Sequence, residues 1–215
     1  MIERLFQNLP MDRKGMLRRQ YRMLPHIGGV VSKLFYGGKL EHARQDGSGC
    51  FRDFGWLTYE APGLRVPSQS HGDRKVLVNE IELIIERLRV IDRKLVESST
   101  EARVRRLTVA VIMPYRAQCR ELRRIIERID FGERTAVEID TVDAFQGRKA
   151  DVAVFSFVRT CRAARFFADD RRLNVALSPA RDGVYLVGDL RYLKSRRIPA
   201  IDTLARLPIY VTSRS

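Results

Sequence analysis

Three stretches of this chain run apolar with almost no polar break: Leu107 to Met113 (LTVAVIM), Asp151 to Val158 (DVAVFSFV) and Gly183 to Val187 (GVYLV). Runs of this length predict strands buried on both faces, as in a parallel sheet. Ala136 to Val142 predicts a shorter strand, and Trp56-Leu57-Thr58-Tyr59 a further one. Elsewhere the period lengthens to that of a helix. Ile81, Ile84, Ile85, Leu88, Ile91 and Leu95 share one face, with Asn79 and Glu82 at capping-box spacing ahead of them. Ala117, Leu122, Ile125, Ile126 and Ile129 mark a second helix, its Arg116, Arg120, Arg123, Arg124 and Arg128 mostly outward. Arg171 to Ala180 predicts a third. Ile2, Leu5, Phe6 and Leu9 have roughly helical spacing in the segment from Met1 to Arg19, with Pro10 as the stop. Strands alternating with helices predict an α/β fold with a mostly parallel sheet and helices on both faces. We expect one domain over residues 1–215, with an irregular insertion at about 40–70 where Gly, Ser, Pro and charge accumulate.

Composition adds a partner class. The chain carries 40 basic and 26 acidic residues, a net charge of +14, and a hydrophobic content of 45% that supplies a core. Such a basic balance suits a polyanion, because each phosphate neutralised releases a counterion. A solvated basic surface is the plainer alternative. Cys50, Cys119 and Cys161 are odd in number and far apart, and His26, His42 and His71 are scattered. Neither a disulfide framework nor a zinc site is expected. The opening residues do not read as a signal peptide and no apolar run reaches membrane-spanning length. We expect an intracellular, most simply cytoplasmic, protein with no membrane contact.

In parallel sheets, ligands sit beyond the carboxyl ends of the strands. That directs attention to Pro114-Tyr115, Asp143 to Arg148, Arg159-Thr160 and Gly188-Asp189. Three segments then stand out. In Gln20-Tyr21-Arg22-Met23-Leu24-Pro25, Arg22 offers a planar cation to a phosphate and Tyr21 a flat face to a base; alone, the pair also reads as a surface stack. Thr141-Val142-Asp143-Ala144-Phe145-Gln146-Gly147-Arg148 offers backbone N–H groups to a phosphate, or is a polar loop with a glycine turn. Arg171 to Arg181 (RRLNVALSPAR) is an apolar helix with basic ends.

In order, QYRM-P, VIMPYRAQ, TVDAFQGR-x-x-D and RRLNVALS-x-AR followed by GVYLVGD closely resemble the C-terminal (second) RecA-like domain of superfamily 1B helicases, the AAA-type helicase C-terminal domain. That group includes the RNA helicase of nonsense-mediated decay. The resemblance runs from about Met1 to about Leu193. It implies a RecA-like fold of the P-loop NTPase type. It further implies ATP with Mg2+ held mainly by a first RecA-like domain, present in cis or in trans, and single-stranded nucleic acid as the other partner. On the matching positions, Arg22 would be an arginine finger, with Gln20, Tyr21, Gln146, Gly147 and Arg148 at the nucleotide. Pro114, Tyr115, Thr141 and Asp143 would lie near the nucleic acid. Asn174 falls to the same interface and would support the helix behind Arg171 and Arg172.

Two positions depart from the family. Lys149 stands where a glutamate is usual, and Pro179 where the second finger arginine is usual. Inside a helix, that proline would remove a hydrogen bond and cost about 3 kcal/mol. Arg181 would point to another side of the helix. The sequence holds no G-x-x-x-x-G-K-[ST], so it is not expected to hydrolyse ATP alone. Its opening IERLF resembles the family sequence just after the first domain. The expected function is the second half of an ATP-dependent helicase. The alternatives are an ATP-independent single-strand-binding module and an inactive fragment.

Overall fold

The structure is a computed structural model, and residues 15, 17–45, 51–59, 78–97, 106–158 and 169–210 are described. The helix expected in the segment from Met1 to Arg19 and the positions Arg159-Thr160 lie outside the described residues. The expected α/β, RecA-like architecture is the one observed. Strands β1 (Arg19–Gln20) and β2 (Glu41–His42) make a small parallel pair. The main sheet holds β3 (Phe54–Leu57), β4 (Leu107–Met113), β5 (Thr135–Thr141), β6 (Ala150–Ser156) and β7 (Ala180–Val187) in the order β3-β7-β6-β4-β5. Every pairing within it is parallel.

Alternation along the strands divides the core in two. Ala110, Ile112, Ala153, Phe155, Val184 and Leu186 face one layer. There they meet α1 (Pro25–Phe35), α4 (Val142–Phe145), α5 (Asp170–Leu177), α6 (Leu190–Ser195) and α7 (Pro199–Leu204). Val109, Val111, Met113, Val152, Val154, Tyr185 and Val187 face the other. That layer is made by α2 (Val78–Glu97) and α3 (Arg116–Ile126). Helices on both faces explain why β4 and β6 carry no polar alternation, whereas the half-buried edge strand β5 alternates Val137 and Ile139 with Glu138 and Asp140.

Several boundaries differ from the expectation. The strand read at Trp56–Tyr59 is Phe54–Leu57, an edge strand of the main sheet lying within the segment expected as an insertion. Trp56 is fully buried there, donates to the Leu204 carbonyl at 2.8 Å and stacks on Phe157. Helix α2 already includes Val78, so Asn79 lies inside the helix and the capping box is not formed. Helix α5 ends at Leu177, with Ser178 as its C-cap. Pro179 therefore lies between α5 and β7, where it costs no helical hydrogen bond. Arg181 sits on β7, not on a helix, and its guanidinium meets the Asp151 carboxylate at 3.4 Å.

Helix α1 escaped the sequence pattern. Gly28 and Gly29 lower its intrinsic helicity. Packing overrides this: Ile27 and Val31 are fully buried, and Pro25 begins the helix where its missing N–H costs nothing. Gly28 is required by close approach, since a Cβ there would fall 2.4 Å from His42 Nδ1.

Candidate functional site

The sequence-predicted residues gather at two ends of the sheet. The first is the amino end of β6 and β7, beside the small pair β1–β2. The Gln20 side chain folds the following turn around itself. Its carbonyl oxygen accepts from Arg22 N at 2.9 Å and Met23 N at 2.8 Å, and its amide donates to Met23 O at 2.8 Å. The same amide meets His42 Nδ1 at 3.0 Å. Gln20, expected at the nucleotide, thus braces the turn that presents Tyr21 and Arg22.

The turn is fixed to β7 by Leu24 N donating to Arg181 O at 2.9 Å. Tyr21 is left 68% exposed, with the Arg19 guanidinium 5.6 Å above its ring. Arg22 is exposed, and its Nη1 donates to the Ser178 carbonyl at 3.1 Å. Next to Ser178, the Pro179 carbonyl accepts from Ala150 N at 3.0 Å. Arg22, Pro179 and Lys149 therefore converge at one place, although they are far apart in sequence.

The second group lies at the carboxyl end of the sheet. Met113 and Thr141 are register partners in β4 and β5. The residues that follow them, Pro114-Tyr115 and Val142-Asp143, consequently leave the sheet side by side. Pro114, Tyr115 and Thr141 are half-buried and Asp143 is exposed. The strand order places β4 against β6, with β5 beyond one and β7 beyond the other. That is a topological switch point, where open α/β sheets bind ligands. Val158, at the same end after β6, holds φ 50, a left-handed conformation that a β-branched residue rarely adopts. Glu80, fully buried in α2, supports it by accepting from Val158 N at 2.9 Å and from the Ser156 hydroxyl.

Residues 142–149 connect the two ends. Phe145 is buried against Leu173, Ala176 and Leu177 of α5 in the same core layer. Gly147 turns the chain at φ +83, where a side chain would be strained. Gln146 before it is exposed. Arg148 does not turn to the first group. Its guanidinium lies over the Phe145 ring at 4.3 Å and binds Glu138 and, at 3.5 Å, Asp140. Asn174 is likewise turned inward, donating at 2.9 Å to the hydroxyl of Tyr36, the C-cap of α1.

Sequence reasoning missed the tie that holds the first group. Arg44 donates to the Arg22 carbonyl at 2.8 Å and the Arg181 carbonyl at 2.9 Å, and pairs with Asp182 at 2.5 Å. Asp182 is fully buried in β7. An aspartate inside the run ARDGVYLV was the available signal, since a buried carboxylate requires a cation or several donors. The thiol of Cys119 plays no part in either group: burial pushes it up to about 11, which keeps it protonated.

Residues 1–191 match the AAA domain family. Among individual proteins, the probable helicase MAGATAMA 3 of Arabidopsis thaliana is 34% identical over 84% of this chain and 23% of its own length. An uncharacterized ATP-dependent helicase of Methanocaldococcus jannaschii is 30% identical over 92% of this chain and 30% of its own. The regulator of nonsense transcripts 1 homolog of Neurospora crassa is 30% identical over 82% of this chain and 17% of its own. The chain thus spans less than a third of the length of these relatives. Among solved structures, the C-terminal domain of a possible DNA helicase from Lactobacillus plantarum aligns with 79% of this chain and 88% of that one, at a TM-score of 0.46 and 13% identity. That likeness is too loose to carry a residue-level reading. Nearly the full length matched, together with relatives named as helicases in a plant and an archaeon, leads to one assignment: the chain belongs to the AAA domain family, as a helicase-type domain.

Proposed function

We propose that the chain is the second RecA-like domain of an ATP-dependent superfamily 1 helicase. In this reading it supplies an arginine finger at one end of its sheet and a single-strand surface at the other. The observation that carries it is the presentation of Arg22. The guanidinium is exposed, and the backbone beneath it is fixed by Gln20, Arg44 and Leu24. A cation held on a braced turn costs little reorganisation when it meets developing charge on a phosphate.

ATP with Mg2+ would be held mainly by a first RecA-like domain, in cis or in trans. This chain would add Arg22 to the γ-phosphate, Tyr21 as a stacking face for the base, and Gln146 and Gly147 at the margin. The exposed, adjacent Tyr21 and Arg22 suit that share. Arg148 and Asn174 are occupied elsewhere and would act through the loop and helix they brace. The bound nucleotide supplies the free energy of hydrolysis; the residues here bind, orient and stabilise charge.

The test joins the chain to a first domain bearing the phosphate-binding loop and measures ATP hydrolysis. Hydrolysis stimulated by a single strand, and absent from either half, is expected. A folded, associated pair that hydrolyses nothing would remove the reading. Within the active pair, Pro179→Arg should raise the rate. Pro179 follows the helix end, buried one residue from the carbonyl that Arg22 binds, so the long side chain of an arginine there must reach outward to set a second cation beside the first. An unchanged rate would mean that Lys149 already fills that role.

For the single strand, Tyr115 lies at the carboxyl end beside Thr141. Stacking on an aromatic ring contributes about 1–3 kcal/mol per base. Tyr115→Ala should weaken oligonucleotide binding about tenfold with an unaltered salt dependence, as read by fluorescence anisotropy. Undiminished binding would place the strand elsewhere. A second reading, a strand-binding module without ATP chemistry, is favoured by Pro179 and Lys149; it keeps the Tyr115 effect and loses the hydrolysis.

A further inference from the structure

The two groups described leave most of the basic charge unused, and one helix concentrates it. From Arg116 to Arg128 the chain carries five arginines against Glu121 and Glu127. Arg123 is committed, its guanidinium turned to the Ile139 carbonyl and to Asp140 at 3.7 Å. The other four, Arg116, Arg120, Arg124 and Arg128, recur every fourth residue and are all exposed. Four-residue spacing makes a single ridge on a helix surface, with steps of about 6 Å along the axis. Among the described residues, Arg124 is the one of the four with a carboxylate ion-pair partner, Glu121 at 2.6 Å, and that pair is mostly in solvent. Arg116, Arg120 and Arg128 make no ion pair among the described residues.

The position of the ridge matters as much as its charge. Helix α3 begins directly after Pro114-Tyr115, with Tyr115 as its N-cap. The ridge starts at the carboxyl end of the sheet and continues away from it for about 18 Å, ending one residue past the C-cap. Apolar positions of α3 are buried on the opposite side, at Cys119 and Leu122, so packing does not require arginine outside. Lysine, glutamate or glutamine would solvate this face equally well.

We propose that this ridge is a second phosphate-binding track, which takes the nucleic-acid backbone where it leaves the Pro114–Thr141 edge and extends the bound length. The proposal rests on the strand-binding reading given above for that edge. Arginine fits the task because its planar fork binds phosphate oxygens bidentately and stays charged at every relevant pH. Contacts of this kind follow the backbone and carry no sequence preference.

The test uses the triple variant Arg120→Gln, Arg124→Gln, Arg128→Gln, whose exposed positions leave the core untouched. Binding is measured against salt for a strand of about 5 nucleotides, for one of about 15 and for a duplex. Three lost phosphate contacts should lower the salt slope for the longer strand by about 2 and its affinity about 100-fold at 0.1 M salt. The short strand should bind the variant as it binds the wild type. If the duplex alone is affected, the track still stands and receives the duplex beside the edge. If wild type ignores the short strand while the variant still loses the longer ligands, the edge reading fails and the track survives it. Equal slopes and affinities for variant and wild type on the longer strand and the duplex would overturn the track. So would polyglutamate competing as well as the strand at equal charge, since the ridge would then be a surface for any anion.

Discussion

Replacing Arg22 with alanine should lower single-strand-stimulated ATP hydrolysis by about three to five orders of magnitude, the range that an arginine finger provides in related nucleotide hydrolases. The loss should fall on kcat, because a cation that meets charge developing only in the transition state adds little to ground-state binding. Stability should stay within about 0.5 kcal/mol, since the side chain is exposed and its one hydrogen bond ends on a carbonyl at the surface. Arg22→Lys keeps the charge but loses the planar fork, and should recover only part of the rate. The measurement is steady-state hydrolysis with the first domain present and the strand saturating. A full rate from Arg22→Ala would move the finger to another cation at the same sheet end. Lys149→Ala then decides, because Lys149 precedes the residue whose N–H binds the Pro179 carbonyl. If Lys149→Ala is also silent, the amino end of β6 and β7 is not where this chain meets the nucleotide.

What could be read from the sequence follows from which contacts are local. Leu107–Met113 is legible to the residue because a strand covered on both faces reads as a nearly continuous apolar run, here set between Arg106 and Pro114. Residues 150–156 are legible within two residues for the same reason, and the edge strand 135–141 within one by its period-two alternation of Val137 and Ile139 with Glu138 and Asp140. Helix α1 was not legible, because its stability lies in Ile27 and Val31 meeting the core and not in a sequence that contains Gly28-Gly29. Pro179 was misjudged as a helix breaker because the end of α5 is set by the start of β7, a tertiary event.

The candidate site was legible in parts only. Motif order singles out Arg22, Tyr115, Thr141, Arg148 and Asn174 but gives no orientation, so it does not reveal that Arg148 and Asn174 are each held by a neighbour. The convergence of Arg22, Lys149 and Pro179 depends on the turn after β1 being bonded to the amino end of β7, which no local pattern encodes.

Arg44 is where the missed structure can be weighed. Arg44→Ala should destabilise the domain by about 3 kcal/mol, because it strips a cation from a buried carboxylate and leaves the charge behind. Asp182 is fully buried and the Arg44 side chain is 13% exposed, so solvent screens the pair little. The double variant Arg44→Met, Asp182→Leu removes both charges and should regain most of the loss, as apolar replacement of a buried pair often does. It should not regain activity. Arg44 also donates to the carbonyls of Arg22 and Arg181, two bonds that methionine cannot make. The turn under Arg22 then keeps Gln20 and the Leu24 bond but loses its side-chain tie to β7, while the core is restored. Stability and catalysis should therefore separate: denaturant midpoints near wild type, and kcat still down by about tenfold or more, the scale on which small misplacements of a catalytic group act. If stability and rate return together in the double variant, the brace is dispensable and Arg44 is only a counter-charge for Asp182. If Arg44→Ala costs less than about 0.5 kcal/mol, water replaces its guanidinium and the buried pair is not what fixes β7 to the turn.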